Sequence, residues 1–285
     1  NLQGQQQHTL LHVIDHTATA MGSRLLKRWL GRPIRDHLAI QYRHQVVSLF
    51  KQQQLYLALA PKLKQIGDIE RILSRIALLT ARPKDLIILG QALSELPAIK
   101  TIIAALTEIQ LIQELNRNIY LLPATCELLQ RAIIDNPPSL IRDGGVIAAG
   151  YDSELDRLRA IHTDADSYLL NLEIQERKST GLSTLKVGYN RVHGYFIELS
   201  RAQSHNLPAH YQRRQTLKNV ERYITPELKT FEDQVLSSRE RALAREKHLY
   251  EELLLTLKQE IPKLQATAQA LATIDVLQNF AQRAD

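Results

Sequence analysis

The chain has 285 residues, 44% of them hydrophobic, and a formal net charge of +6. That length can bury a sizeable core and allows about two domains. A single cysteine, Cys126, excludes a disulfide framework and points to a reducing compartment; within its apolar helical pattern it reads as a small core residue. No apolar run approaches the ~18–20 residues that a membrane span needs, so no membrane is expected.

The start, NLQGQQQHT, lacks a basic end followed by an apolar run, so no signal peptide is expected; an opening Asn rather than Met is that of a fragment or a processed chain. Gln3–Gln7 reads as a polar loop, and Thr9–Ile14 is an apolar run of ambiguous type. Met21, Leu25 and Trp29 are spaced as one helix face, which predicts a helix over Ala20–Leu30 stopped by Gly31 and Pro33. A second helix is expected after Asp36, with Ile40, Val47 and Phe50 inward. Asp68 suits the N-cap of a helix that turns Ile69, Ile72, Leu73, Ile76 and Leu79 inward. Arg71 and Arg75 lie one turn apart on it, open to an ion-paired face or a domain contact. Pro83 opens a further helix to Leu93. Pro97 is expected to break it, and helices resume to about Ile134. Asn136–Pro138 and Asp143–Gly145 make a loop, so residues 1–140 read as an all-helical domain.

Leu155, Leu158, His162, Ala165, Leu169 and Leu172 follow a 3-4-3-4-3 spacing, a coiled-coil seam. The helix carrying it is expected from Ser153 to Lys178. A second long helix is capped by Thr225, has Pro226 at N1 and Glu227 in its first turn, and runs to about Gln259. Leu228, Phe231, Val235, Ala242, Leu249 and Leu253 form its inner stripe, interrupted by Ser238 and Arg245. Pro262 ends it, and a last helix runs to about Ala284.

Between the two long helices, residues 182–224 lose the helical period. Tyr195, Ile197 and Leu199 alternate against Phe196 and Glu198, which predicts strand. Gly181, Gly188 and Gly194 permit turns and bulges. Residues 181–224 hold seven cations, Lys186, Arg191, Arg201, Arg213, Arg214, Lys218 and Arg222, against Glu198 and Glu221, so nearly all the net charge sits here. A small basic β module in an otherwise neutral helical chain points to a polyanion. Lys186–Tyr189 and Val192–Leu199 read as a hairpin turning near Asn190–Arg191. Gln212, Arg214, Thr216 and Lys218 are expected to alternate onto one polar face of a third strand, suited to phosphate oxygens. The aromatics Tyr189, Tyr195, Phe196, Tyr211 and Tyr223 read as a small core, which favours backbone binding over base reading.

The fold class expected is mostly α: a helical core with a long antiparallel helical arm carrying a small antiparallel β module at its tip. The segments are residues 1–140 (core), 141–181 (helix leading out), 182–224 (β module), 225–260 (returning helix) and 261–285 (helix rejoining the core). The alternative is a helical scaffold whose arm tip binds a protein. Catalytic signals are missing: the sequence has no G-x-x-x-x-G-K-[ST], no H-E-x-x-H and no C-x-x-C. His8, His12 and His16 are spaced four apart but lack further ligands, so no metal is expected.

Long motifs in this order resemble the MutS DNA mismatch-repair family across essentially the whole chain. They are MGSRLLKRWLGRPI (Met21–Ile34), GDIERILSRIA (Gly67–Ala77), ARPKDL (Ala81–Leu86), RDGGVIAAGYDSELDRLR (Arg142–Arg159), VGYNRVHGYFIELSR (Val187–Arg201) and YQRRQTLKNVERYITPELK (Tyr211–Lys229). The resemblance implies a core or lever domain and a clamp, with clamps from two subunits closing over duplex DNA and touching its backbone. Carried over by motif, the DNA-contacting positions are Lys186, Asn190, Arg191, His193, Arg201, Ser204, His205, Arg213, Arg214, Lys218 and Asn219, with Lys218 and Asn219 foremost. It also implies a mismatch-reading domain upstream and an ATPase domain downstream. Catalytic residues and cofactors are therefore expected to be none in this chain, with ATP and magnesium belonging to the parent's ATPase domain. Expected partners are duplex DNA, a second MutS subunit and mismatch-repair proteins, in a bacterial cytoplasm at the nucleoid.

Overall fold

A computed structural model describes residues 9–106, 108–190 and 194–285; the side chains of 162–164, 166 and 204–206 also lie outside that description. The chain is mostly α with one four-stranded antiparallel sheet. It divides into two compact units, residues 1–148 with 249–285, and residues 149–248.

The first unit is helical and is built around its last helix. Helices α1 (Leu10–Ile14), α2 (Ala20–Gly31), α3 (His37–Gln52), α4 (Leu55–Lys64), α5 (Ile69–Ala77), α6 (Pro83–Ala104), α7 (Gln110–Asn118) and α8 (Pro123–Ala132) precede it. The C-terminal helix α11 (Ile261–Ala284) packs against α2, α3, α4, α5 and α7. Its later turns are covered all round: from Ala270 through Leu271 and Leu277 to Ala281 no residue is exposed. A helix covered on every side must satisfy its polar groups internally. Asp275 accepts from the backbone of Ala18 and Thr19, from the Thr19 hydroxyl and from Gln278 Nε2, at 2.7–3.0 Å. Asn279 accepts from His16 N and donates to Ile14 O. Burial pushes the Asp275 carboxyl above its ordinary range, against these hydrogen bonds. Through Thr19, which caps α2, the carboxylate fixes where α2 begins.

Several expectations need correction. His12 lies in α1, which ends at Ile14, so His16 is off that helix; His8 lies outside the described residues. His12 and His16 therefore share no helix face. In α3 the buried positions are Val46 and Phe50, with Ile40 and Val47 only half-buried. Helix α5 ends at Ala77, and Leu79 takes a left-handed φ of 55° and is 43% exposed, so it is not part of the inward stripe. Arg75 pairs with Asp85 at 2.7 Å, and Arg71 lies 3.5 Å from the Asp68 cap; both belong to an ion-paired face.

Pro97 does not break the chain's longest apolar pattern. Helix α6 runs through it, forgoing one backbone hydrogen bond. Burial of Leu93, Leu96, Ile99 and Ile103 outweighs that loss. Taken as one helix, α6 is long and apolar enough to cross a membrane by length and composition. Its contacts with α4, α5, α7 and α8 make it a core helix. Helix α4, with Pro61 inside it, is a similar case in which packing overrides a helix breaker.

In the second unit, α9 (Ser153–Thr180) and the first part of α10 (Pro226–Gln259) run antiparallel. Asp152, at the start of α9, meets Arg245 at 2.7 Å, while Tyr168 farther along stacks on Phe231 with ring centroids 4.1 Å apart. The Tyr168 hydroxyl donates to Glu227, and burial with that carboxylate pushes its pKa up to about 12. The α9 seam buries Leu155, Leu158, Ala165 and Leu172; the side chain of His162 lies outside the described residues. The two residues that interrupt the α10 stripe face inward all the same. Ser238 is buried, and Arg245 forks onto the Asp152 carboxylate that caps α9.

Gly22 lies where a Cβ would collide with the Asp275 carboxylate. Gly22→Ala is expected to lower the unfolding free energy by roughly 1–3 kcal/mol through overpacking. Gly31→Ala, where nothing lies within 4 Å, is expected to be close to neutral. Urea melts of the two variants check this; equal stabilities would remove Asp275 as the organiser of the α2 start.

Candidate nucleic-acid interface

The sheet joins β1 (Lys186–Asn190), β2 (Gly194–Ser200), β3 (Gln212–Thr216) and β4 (Val220–Ile224) in the order β1-β2-β4-β3. Strand β4 was not anticipated, although Val220, Arg222 and Ile224 alternate against Glu221 and Tyr223 in the sequence. It is central, pairing with both β2 and β3. One face packs on the helices: Tyr195, Ile197, Leu199 and Tyr223 join Ala165, Leu172, Leu228 and Val235 in one core. The opposite face carries the register row Lys186, Glu198, Arg222 and Gln215. There Arg222 donates to Glu198 at 2.9 Å and to Gln215 at 3.2 Å, and lies 4.0 Å over the Phe196 ring.

The expected alternation of Gln212, Arg214, Thr216 and Lys218 onto one face does not occur. The register shifts between Arg213 and Gln215, leaving Arg214 as the extra residue of a bulge. Gln212 and Gln215 therefore share the outer face, while Arg213 and Thr216 face inward. Arg214 turns to α10, where its Nη1 donates to Tyr195 O at 3.0 Å and meets both oxygens of Glu232 at 3.3 Å. Glu232 is 3% exposed and also accepts from Tyr195 N and from Lys229. Its carboxylate fits because Gly194, at φ 70°, has no Cβ; a side chain there would strike Glu232 Oε1 and strain the backbone.

Further carboxylates attach the sheet to α9. Glu173 accepts from Val187 N, and Glu176 accepts from the Tyr211 hydroxyl, whose pKa is raised by burial and by that carboxylate. Glu221 accepts from the Tyr223 hydroxyl and lies 3.5 Å from Arg213. Buried acids of this kind were not anticipated. The available signal for Glu232 is its place in the stripe, at i+4 from Leu228 and beside Phe231 and Val235.

The candidate positions fall at two ends of the strands. Lys218 and Asn219 form the exposed turn between β3 and β4, closed by Leu217 N donating to Val220 O at 2.9 Å. Arg201 opens the 3-10 helix Arg201–Asn206, and its N–H donates to Asn219 O at 3.2 Å, which joins that helix to the turn. Exposed Lys186, at the start of β1, belongs to the same end of the sheet. Asn190 ends β1 at the opposite end, across the length of β2 or about 20 Å. Arg191 and His193 lie outside the described residues, as do the side chains of Ser204 and His205.

The family model MutS domain III matches residues 1–281. This chain belongs to the MutS family. It carries domain III of a DNA mismatch-repair protein, a role that fits DNA and a second MutS subunit as partners in general terms. Within this MutS domain, Arg213, Arg214 and Arg222 have carboxylate partners. Lys186 and Lys218 are exposed and have no ion pair among the described residues.

The Arg214 side chain is 31% exposed, so solvent screens part of the charge that its removal would uncover on Glu232. Arg214→Ala is expected to cost about 2 kcal/mol, and Lys186→Ala under about 0.5 kcal/mol. Denaturant melts of the chain measure both. An Arg214 variant as stable as the parent would show that Glu232 does not depend on it.

Proposed function

We propose that this MutS domain III holds duplex DNA by its sugar–phosphate backbone, without reading sequence or mismatch. The observation that carries the reading is the exposed Lys218–Asn219 turn, tied at Asn219 O to the start of the Arg201 helix. It offers an ammonium, a side-chain amide and an arginine at one end of a small sheet. Such groups donate to phosphate oxygens, and backbone contacts of this kind position a duplex without reading its sequence. Lys186 adds charge at the same end. Asn190, at the far end of β1, marks a second contact region; Arg191, His193, Ser204 and His205 remain candidates by motif alone. Arg213 and Arg214 act through the sheet's integrity and contribute less to binding than their motif implies.

The proposal extends to the parent protein. Catalysis is assigned outside this chain, because no phosphate-binding loop occurs in its sequence. ATP and magnesium would act in an ATPase domain, and a second MutS subunit would supply a second clamp. The long helices α9 and α10 that flank the sheet are the proposed route by which nucleotide state is coupled to clamp position. A cytoplasmic, nucleoid-associated location follows from that role.

A second reading keeps one observation. Leu170 and Ile174, one turn apart on α9, and Tyr189 on β1 are 64%, 46% and 49% exposed. Those residues suit a protein partner at the same unit.

Fluorescence anisotropy on labelled duplexes tests the main reading. With about three phosphates neutralised, log K against log salt is expected to have a slope of about −3, with equal affinity for paired and mismatched duplex. Lys218→Glu is expected to weaken binding at least about fivefold, roughly 1 kcal/mol, with unchanged helix content by circular dichroism. Salt-insensitive binding would exclude backbone contact, and a clear mismatch preference would exclude the non-reading role. Loss of binding in Leu170→Glu with Lys218→Glu unaffected would favour the protein-type surface.

A further inference from the structure

The first unit has a groove that the DNA-binding reading does not use. Its apolar lining includes Trp29, Leu30, Ile34, Ile40, Val47 and Phe280, with Arg43 and His44 as its polar side chains and Ala284 at the end of α11, and its volume is about 450 Å³. The floor is apolar, and Leu30 is 38% exposed at its edge. One wall carries the Arg43 guanidinium, stacked 3.6 Å above the Trp29 ring. This stacking gives the cation a surface without giving it a counterion. Arg43 has no carboxylate partner among the described residues, and burial alone lowers its pKa. Arg24, on the same helix as Trp29, differs: it is fully paired, with Asp68 at 2.6 Å and Glu70 at 2.7 Å.

The chain around the groove is also cationic. Lys27, Arg28, Arg32 and Arg35 are exposed and have no ion pair among the described residues. The acids nearest in sequence to the lining are engaged elsewhere: Asp36 accepts from Leu38 N and Ala39 N as the cap of α3, and Asp285 accepts from the Tyr56 hydroxyl. A half-desolvated guanidinium beside an apolar floor and amid unpaired cations fits one chemistry. The occupant must bring apolar side chains for the floor and carboxylates for the walls.

We propose that this groove docks an acidic amphipathic segment of another protein, with its apolar residues in the groove and a carboxylate on Arg43. Nucleic acid fits less well, because a phosphate backbone gains nothing from Leu30, Ile34, Ile40 and Val47. A second copy of this chain fits less well, because a two-fold contact would set the same cations against each other.

Trp29 is the chain's sole tryptophan, so its emission reports occupancy directly. The probe is a synthetic helical peptide of about 15 residues with Leu and Phe at i, i+3, i+4 and i+7 and Glu between them. It is expected to shift Trp29 emission saturably. Arg43→Gln is expected to weaken it by about tenfold, or roughly 1.4 kcal/mol. Ile34→Asp, with unchanged circular dichroism, is expected to weaken it as well, through the floor rather than the wall. Equal binding of a peptide with every Glu changed to Lys would overturn the proposal. So would an emission change produced only by duplex DNA, or one that follows the chain's own concentration without peptide.

Discussion

A carboxylate buried behind a small sheet sets how much positive charge that sheet presents. Glu232 accepts from a strand amide and from two cations at once, Arg214 and Lys229. A buried charge with one partner removed is costly, whereas one surrounded by donors is tolerable. The donors come from β2, from the β3 bulge and from α10 itself, so a single group registers three elements. Gly194 is where the sequence makes room for it. The same arrangement removes Arg214 from the pool of cations that can meet a polyanion.

The first unit uses the same device with a different result. Asp275 and Asn279 lie on a helix covered on every side, and their hydrogen bonds reach the segment from Ile14 to Thr19 that leads into α2. Residues more than 250 positions apart in the chain are thereby held together by side-chain-to-backbone bonds. In each unit a buried acid supplies geometry while apolar burial supplies most of the stabilisation. Both acids hold backbone in place through the hydrogen bonds they accept.

In the sheet module the charge that remains available is at the Lys218 turn and at Lys186, where β1 begins. Lys218 and Asn219 occupy a hairpin turn, and short turns with a fixed hydrogen bond hold exposed side chains at low conformational cost. The outer sheet row, by contrast, neutralises Arg222 with Glu198 and covers Phe196 with the guanidinium. A basic composition and a basic surface are thus different properties in this module. Helix positions, caps and the two long seams were legible because periodicity of 3.6 and capping chemistry are local. Pro97 was misleading for the complementary reason, since burial of neighbouring leucines and isoleucines is not local.

The sequence by itself determined the helical class, the interruption of the α9–α10 pair by a β module, and the concentration of cations within that module. Its motifs determined membership of the MutS family. Only the tertiary structure decided which of those cations face solvent. The bulge at Arg214 adds one residue to a strand, and a single-residue shift reverses every side chain beyond it, a change that period-2 reading cannot register. The acid that draws Arg214 in sits on another helix, and its pairing follows from where the chain folds rather than from what stands beside it in sequence.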